Sequence, residues 1–422
     1  MLPRLFLSIG CILGFLLLSA RADFALRDGD TVAFLGDSIT AARGYTKIVE
    51  HYVLLRFPQR KLRFLNAGKG GDTASGAVAR LDAEVFRPGA TVVIVAFGIN
   101  DIGWGMKANA ESKQRYLDGI RSIIEQSRAH HVRPIICSAA ITAEDPAKAE
   151  QGFLQTMCDE GLALAKSLGA ETVDLQRGMR AVQRRVWAAN EQEKDEKKKV
   201  RLHVADGIHL NDLGHLAMAF AVLQGLGAPA EVSSATVDAQ TGEALSAEGC
   251  RLSECKKLAD GIAFTRQDEG LPVTFGAFSV FDFRWVPVPE GINRYLLTVK
   301  NLAPGEYQLS AEGRPLGKTD AAQLARGLNI STMTADPWQP GGPWDAQSLA
   351  VKELVDARDK VWMSSHTRSQ SLPMHPDRAP LEASERKLED DVVALQRTLA
   401  RPYPYHFEIR KAEPKPEGTA PR

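Results

Sequence analysis

The sequence predicts an α/β fold with a parallel sheet, followed by a small antiparallel β module and a helical C-terminal region. Three observations carry this. From about residue 23 to 227, apolar strand-like runs alternate with amphipathic helical stretches, the pattern of a parallel sheet covered on both faces. Beyond residue 228 the texture changes to short strands separated by turn signals such as Pro304-Gly305 and Glu312-Gly313. Residues 345–399 are charged and helix-rich.

The organising stretch is residues 31–45, TVAFLGDSITAARGY. Val32, Ala33, Phe34 and Leu35 read as a strand buried on both faces, and Gly36-Asp37 supplies the turn that takes the backbone out of the sheet. Ser38 then sits at the carboxyl end of a strand, where open α/β sheets place their chemistry. A serine in that position also serves as the N-cap of a following helix. Residues 48–57 read as helix, 62–65 as a second strand ending at Asn66, 68–71 as a Gly-rich turn, and 74–85 as helix. Residues 91–97 are β-branched and uncharged, which places them centrally in the sheet. Residues 111–131 form a long helix with Leu117, Ile120, Ile123 and Ile124 on one face. Strand 135–138, helix 151–168, short strand 172–175 and helix 177–190 follow. The charge-dense EQEKDEKKK at 191–199 reads as a solvated helix end or loop, and an apolar helix over 212–226 ends at Gly227.

In the second half, strands are expected at 273–280, 295–299 and 307–310, and a short helix at 321–326 stops at Gly327. Residues 337–344, PWQPGGPW, read as a loop, and the tail from residue 413 has the composition of a disordered segment. These shifts give four expected segments: 1–22, 23–228, 229–335 and 336–422.

The 422-residue length exceeds one ordinary core. The 52 basic and 52 acidic side chains balance, so nothing calls for nucleic acid as a partner. At the start, Arg4, an apolar run over 5–18 and Ala20-Arg21-Ala22 make a secretory signal peptide with cleavage expected before Asp23. The apolar run is short for a membrane span, so no stable membrane insertion is expected after cleavage, and the mature protein is expected in the periplasm or outside the cell. Cys11 lies too near the start, and inside the apolar run, for lipidation. Cys137 and Cys158 read as buried small hydrophobes. Cys250 and Cys255 are candidates for a small-loop disulfide in an oxidising compartment, which the sequence leaves open. Neither pair has metal-ligand spacing with a neighbouring His, so no metal is expected.

Four short motifs fall in order on strand ends of the first domain: Gly36-Asp37-Ser38; Asn66-x-Gly-x-x-Gly71-Asp72-Thr73; Gly98-x-Asn100-Asp101; and Asp206-x-x-His209. Together they resemble the SGNH or GDSL-type serine esterase superfamily over roughly residues 24–228, with Ile39 where the family name has Leu. The G-x-S-x-G elbow of the α/β-hydrolases is missing around Ser38. The resemblance implies a flavodoxin-like three-layer α/β/α domain that needs no cofactor. It makes Ser38 the nucleophile, His209 the base and Asp206 the orienting acid. It assigns the oxyanion donors to the backbone N–H groups of Ser38 and Gly71 and the side-chain amide of Asn100.

The chemistry fits these residue types. A neutral hydroxyl is a weak nucleophile, so Ser38 needs a base within hydrogen-bond reach, and imidazole titrates near operating pH. A carboxylate three residues earlier on a turn can fix its tautomer. Asp72 and Asp101 read as loop-fixing acceptors. His215 competes as base but falls within the last helix, and His51, His130, His131, His203, His366, His375 and His406 lack a partner motif.

The expected activity is cleavage of a short-chain or carbohydrate-linked acyl ester, small or polymeric, through an acyl-enzyme. There is no long apolar lid, and Trp285, Trp338 and Trp344 in the second half are either sugar-stacking residues or core. The competing class is an inactive SGNH-type scaffold that uses its C-terminal modules for adhesion. Oligomeric state is left open.

Overall fold

A computed structural model of the chain describes residues 24–276, 279–336, 338–339, 341–371 and 376–413. The signal-peptide segment at 1–22, His375 and nearly all of the tail lie outside these residues.

Five strands form a parallel sheet: β1 (Thr31–Gly36), β2 (Arg63–Gly68), β3 (Val92–Ala96), β4 (Arg133–Cys137) and β5 (Glu171–Val173). Their order is β2-β1-β3-β4-β5, the flavodoxin-like arrangement, in which the direction of strand addition reverses between β1 and β3. Side chains alternate along these strands to feed two cores. Val32, Phe34, Val92 and Ile94 point to one face, against helices Gly44–Arg56, Leu175–Gln192 and Asp212–Gly225. Ala33, Leu35, Val93 and Val95 point to the other, against helices Ala110–Ala129 and Phe153–Ser167. The result is a three-layer α/β/α domain, with β3 fully buried at its centre.

Two further sheets follow. β6 (Glu231–Asp238), β7 (Glu243–Glu248), β10 (Arg294–Lys300) and β13 (Leu328–Asn329) form one, in the order β13-β10-β6-β7. β8 (Cys250–Leu258), β9 (Gly261–Asp268), β11 (Glu306–Ala311), β12 (Arg314–Asp320) and β14 (Tyr405–Lys411) form the other, in the order β12-β11-β14-β9-β8. All pairings are antiparallel except β6 with β10. Between β12 and β14 run the short helix Ala321–Arg326 and the long helices Pro343–Ser371 and Arg378–Leu399.

Three sequence readings are corrected here. The expected strand at 273–280 is not formed by its described residues: Val273 exchanges its backbone hydrogen bonds with the side chain of Asn293 (2.8 and 2.9 Å) in place of a sheet neighbour, and Val280 opens the short helix Val280–Phe283. The strands that do open this half, β6 to β9, include stretches with no apolar run; every residue of β7 is exposed. A break at 336 also fails to separate two bodies, because β14 returns to pair with β9 and β11.

Nor does the second half stand apart from the first. One continuous apolar core runs from Phe24 through β1 to Ile409. Glu50, on helix Gly44–Arg56, is buried against Arg358, whose Nη1 also donates to the Phe64 carbonyl at 2.9 Å. Arg43 pairs with Asp359 and stacks its guanidinium 3.9 Å from the Trp362 ring centroid. Trp344, wholly buried beside Tyr295 and Phe407, is core and has no face for a sugar. The four described cysteines are free thiols. Among the described residues no helix is long and apolar enough to cross a membrane.

Candidate active site

Ser38 leaves the carboxyl end of β1 as the first residue of the short helix Ser38–Ala41. The cap of that helix is Asp37, whose Oδ1 accepts from the Ile39 N–H at 2.9 Å, so the serine side chain is released from the capping role its position also suits. Asn66 holds the same turn from β2: its Nδ2 donates to the Thr40 carbonyl at 2.9 Å, and its Oδ1 accepts from the Gly68 N–H at 3.0 Å.

The imidazole arrives from a loop 171 residues later. The Val204 N–H donates to the His209 carbonyl at 2.9 Å, and Gly207 takes the left-handed φ of 72° that the reversal needs. Asp206 Oδ1 accepts from the N–H groups of Ile208 (2.8 Å) and His209 (2.9 Å), while its Oδ2 lies 2.6 Å from His209 Nδ1. These hydrogen bonds, the one to His209 first, hold the Asp206 carboxyl down at about 2. It is therefore ionised at any ordinary pH and keeps the proton on Nδ1. His209 Nε2, left as acceptor, is 2.9 Å from Ser38 Oγ. The three side chains expected to form the triad do converge.

The residues expected to supply the oxyanion donors have these settings. Asn100 follows β3 and gives one N–H of its amide to the Asp72 carbonyl (3.0 Å), while its Oδ1 accepts from Trp104 Nε1 (2.8 Å), which leaves the second Nδ2 hydrogen uncommitted. The Ser38 N–H is at a helix start and has no acceptor within the helix. Gly71 has φ of 73°, and a Cβ there would meet nothing within 4 Å, so the left-handed backbone is what calls for glycine.

Arg80, which sequence reasoning missed, ties the donor loops together. Its guanidinium is buried, donating to Asp72 (2.6 Å) and to the carbonyls of Ala67 (2.6 Å) and Gly36 (3.1 Å). Asp101 Oδ1 accepts from the Ala74 N–H at 3.0 Å. Burial pushes the Asp101 carboxyl up to about 7 and that of Asp37 to about 6.

Trp104 was also missed, although its setting Ile-Gly-Trp-Gly directly after Asn100-Asp101 is an unusual turn. It holds a left-handed φ of 58°, is half exposed, and presents its indole edge-on to His209, centroids 5.9 Å apart. Strain of that kind in a non-glycine residue concentrates at functional sites. A cavity of about 500 Å³ adjoins the triad, walled by Trp104, Ile99, Ile102, Phe153 and the Asp206–Ile208 loop. Every lining residue lies between 99 and 208, so the second half of the chain contributes nothing to this cavity.

The competing histidine is elsewhere. His215 is buried in helix Asp212–Gly225 against Gly44, and burial lowers its pKa to about 4. His51 and His203 are spent on the carbonyls of Ser348 (2.8 Å) and Ile141 (3.0 Å). His130 stacks on Phe86, and His406 lies 3.6 Å from Glu408.

The sequence model of the GDSL-like lipase/acylhydrolase family matches residues 34–217, the stretch that contains Ser38, Gly71, Asn100, Asp206 and His209. That match covers less than half of the chain. An uncharacterized lipoprotein of Bacillus subtilis strain 168, YqeF, is 33% identical over 132 residues, which is 30% of this chain and 54% of that protein. The chain thus spans about half the length of that curated relative. Among solved structures, a gut microbial diltiazem-metabolizing enzyme, BT4096, is 22% identical with a TM-score of 0.78, covering 92% of this chain and 98% of its own. The two share their fold through the second half as well as the GDSL domain. Axe2, an acetylxylan esterase from Geobacillus stearothermophilus, covers 49% of this chain and 97% of its own at 19% identity, with a TM-score of 0.42.

Proposed function

We propose that this chain is an exported serine esterase that cleaves a short-chain or carbohydrate-linked acyl ester through an acyl-enzyme. The observation that carries the reading is the unbroken relay from Asp206 through His209 to Ser38, at 2.6 and 2.9 Å, beside a domain of the acylhydrolase family.

In this reading Ser38 Oγ attacks the ester carbonyl as its proton passes to His209 Nε2. Asp206 stabilises the imidazolium without taking a proton. The carbonyl oxygen, now anionic, accepts from the N–H groups of Ser38 and Gly71 and the free Nδ2 hydrogen of Asn100. Collapse of the tetrahedral adduct expels the alcohol, protonated from Nε2. Water then repeats the sequence on the acyl-serine to release the acid. Two features favour a compact acyl or sugar-linked ester over bulk lipid: the modest cavity, and the absence of any lining contribution from beyond residue 208. Export rests on the amino-terminal sequence.

A fluorophosphonate should label Ser38 in the wild-type protein and fail on His209→Ala. Acetate release from acetylated xylan or peptidoglycan, compared with hydrolysis of a long-chain ester, ranks the substrates. Unlabelled Ser38 in folded protein, with wild type and Ser38→Ala equal on every ester, would overturn the proposal in favour of a scaffold. An amino terminus at Asp23 in the mature protein checks export.

A further inference from the structure

Acyl transfer at Ser38 makes no use of the far wall of the neighbouring cavity, and that wall is chemically odd. Helix Leu175–Gln192 carries four arginines, of which Arg185 donates to the Trp285 carbonyl and the other three stand at successive turns. Arg177 is paired with Asp159 and Asp174, and Arg184 with Glu150. Arg180, between them, turns into the cavity and is only 1% exposed. Its one hydrogen bond among the described residues is a long 3.4 Å contact from Nη2 to Gln155 Oε1, and its Nε and Nη1 are buried with no partner. Gln176, one turn earlier and equally buried, also lines the cavity, with Oε1 unpartnered. Glu144 and Glu150 act on Arg180 through space, yet neither makes an ion pair with it.

A guanidinium remains charged at any ordinary pH, and burying one without an acceptor is costly. Its planar fork matches a carboxylate in two parallel hydrogen bonds. The adjoining Gln176 oxygen suits a donor next to that carboxylate, such as a hydroxyl. The remaining walls, Ile99, Ile102, Phe153 and Leu154, are apolar and fit a carbon skeleton. A neutral acyl chain or an unsubstituted sugar would leave these polar atoms unanswered.

We propose that Arg180 and Gln176 form a carboxylate-recognising subsite, so that the preferred ester carries a carboxylate on its acyl part, as in a dicarboxylic half-ester, or on its alcohol part, as in an acylated uronic or hydroxy acid. The inference rests on the esterase reading above and adds the charge of the substrate to it.

Two matched pairs of esters test it. 4-Nitrophenyl hydrogen glutarate against 4-nitrophenyl butyrate places the carboxylate on the acyl side; 4-acetoxybenzoate against its methyl ester places it on the alcohol side. In one arm, kcat/KM of the wild type should favour the carboxylate ester by about ten-fold or more, through KM. Arg180→Met should bring that ratio to about one, and Arg180→Lys, which keeps the charge but loses the fork, should fall between. A ratio near one in both arms for wild type, or one unchanged in the Arg180 variants, overturns the subsite and leaves the esterase reading intact. Calorimetric titration of glutarate and 4-hydroxybenzoate into Ser38→Ala protein separates the two failures. If wild type turns over none of the four esters but the Ser38→Ala protein binds one carboxylate saturably, and Arg180→Lys weakens it, the esterase reading falls and the subsite stands. If no ester is turned over and neither carboxylate binds, both fall.

Discussion

Replacing Asn100 by alanine separates the oxyanion role proposed for this side chain from its structural one. The amide makes two hydrogen bonds in the resting site, one to the Asp72 carbonyl and one from Trp104 Nε1. Trp104 is 50% exposed, so water can take over its indole N–H. The Asp72 carbonyl loses a single donor in a loop that Arg80 continues to hold through the Asp72 carboxylate. The expected cost in stability is therefore about 1 kcal/mol, that of one ordinary hydrogen bond. The transition state loses more. An oxyanion donor is aimed at charge that exists only during the reaction, and losing one raises the barrier by about 2.7–4 kcal/mol, or about 10²–10³ in kcat. Urea denaturation gives the first quantity and steady-state turnover of a short-chain ester the second. A kcat within ten-fold of wild type in a protein of unchanged stability would remove Asn100 from the oxyanion site. A loss of stability matching the loss of turnover would make it a loop anchor only.

Four other outcomes are expected. The Asp101 carboxyl is raised to about 7 in the folded protein from an unfolded value near 3.8, so the folded state binds more protons between about pH 4 and 7, and its stability falls as pH rises through that window. Asp101→Asn keeps the acceptor for Ala74 and should flatten part of that fall, leaving the variant about 1–3 kcal/mol more stable than wild type at pH 8 in urea titrations. Gly71→Ala meets no protein atom but strains a φ of 73°, which should cost about 1–2 kcal/mol by thermal melting and lower kcat, since the new methyl stands beside an oxyanion donor. Arg358→Met leaves the Glu50 carboxylate buried without its cation and should destabilise the whole chain by about 3–5 kcal/mol, most of it recovered by adding Glu50→Gln. A chain ending at residue 228 should for the same reason be insoluble or unfolded by circular dichroism.

The sequence was most legible where structure is local. A buried strand is an uninterrupted apolar run, as in β1 and β3, and a turn at its end requires Gly, Asp or Asn, so the first three motifs could be set after strands by inspection and the fourth just before the last helix of the first domain. The helix over 321–326 was bounded by its own stop signal at Gly327. Legibility failed where partners are distant. β7 and β8 are largely exposed strands held by neighbours with little apolar pattern of their own. The run at 273–280 looked like a strand from its apolar residues, but Val273 pairs with the side chain of Asn293 in place of a neighbouring strand, and Val280 is exposed at the start of a short helix. Arg180 has nothing in sequence to distinguish it from Arg177 and Arg184, since only the cavity shows which of the three is unpaired.

By itself, then, the sequence determined the α/β class, the placing of Ser38, Gly71 and Asn100 after strands and of Asp206 and His209 before the last helix of the first domain, and the chemistry those residue types can perform. Tertiary structure alone decided that Ser38 and His209, 171 positions apart, meet at 2.9 Å. It also decided that residues 231–411 share a core with the GDSL domain and that the cavity beside the triad ends in an unpaired guanidinium. The division follows from range. Turn chemistry and apolar periodicity are properties of a few adjacent residues, whereas a relay, a shared core or an orphaned charge depends on which distant segments the whole packing brings together.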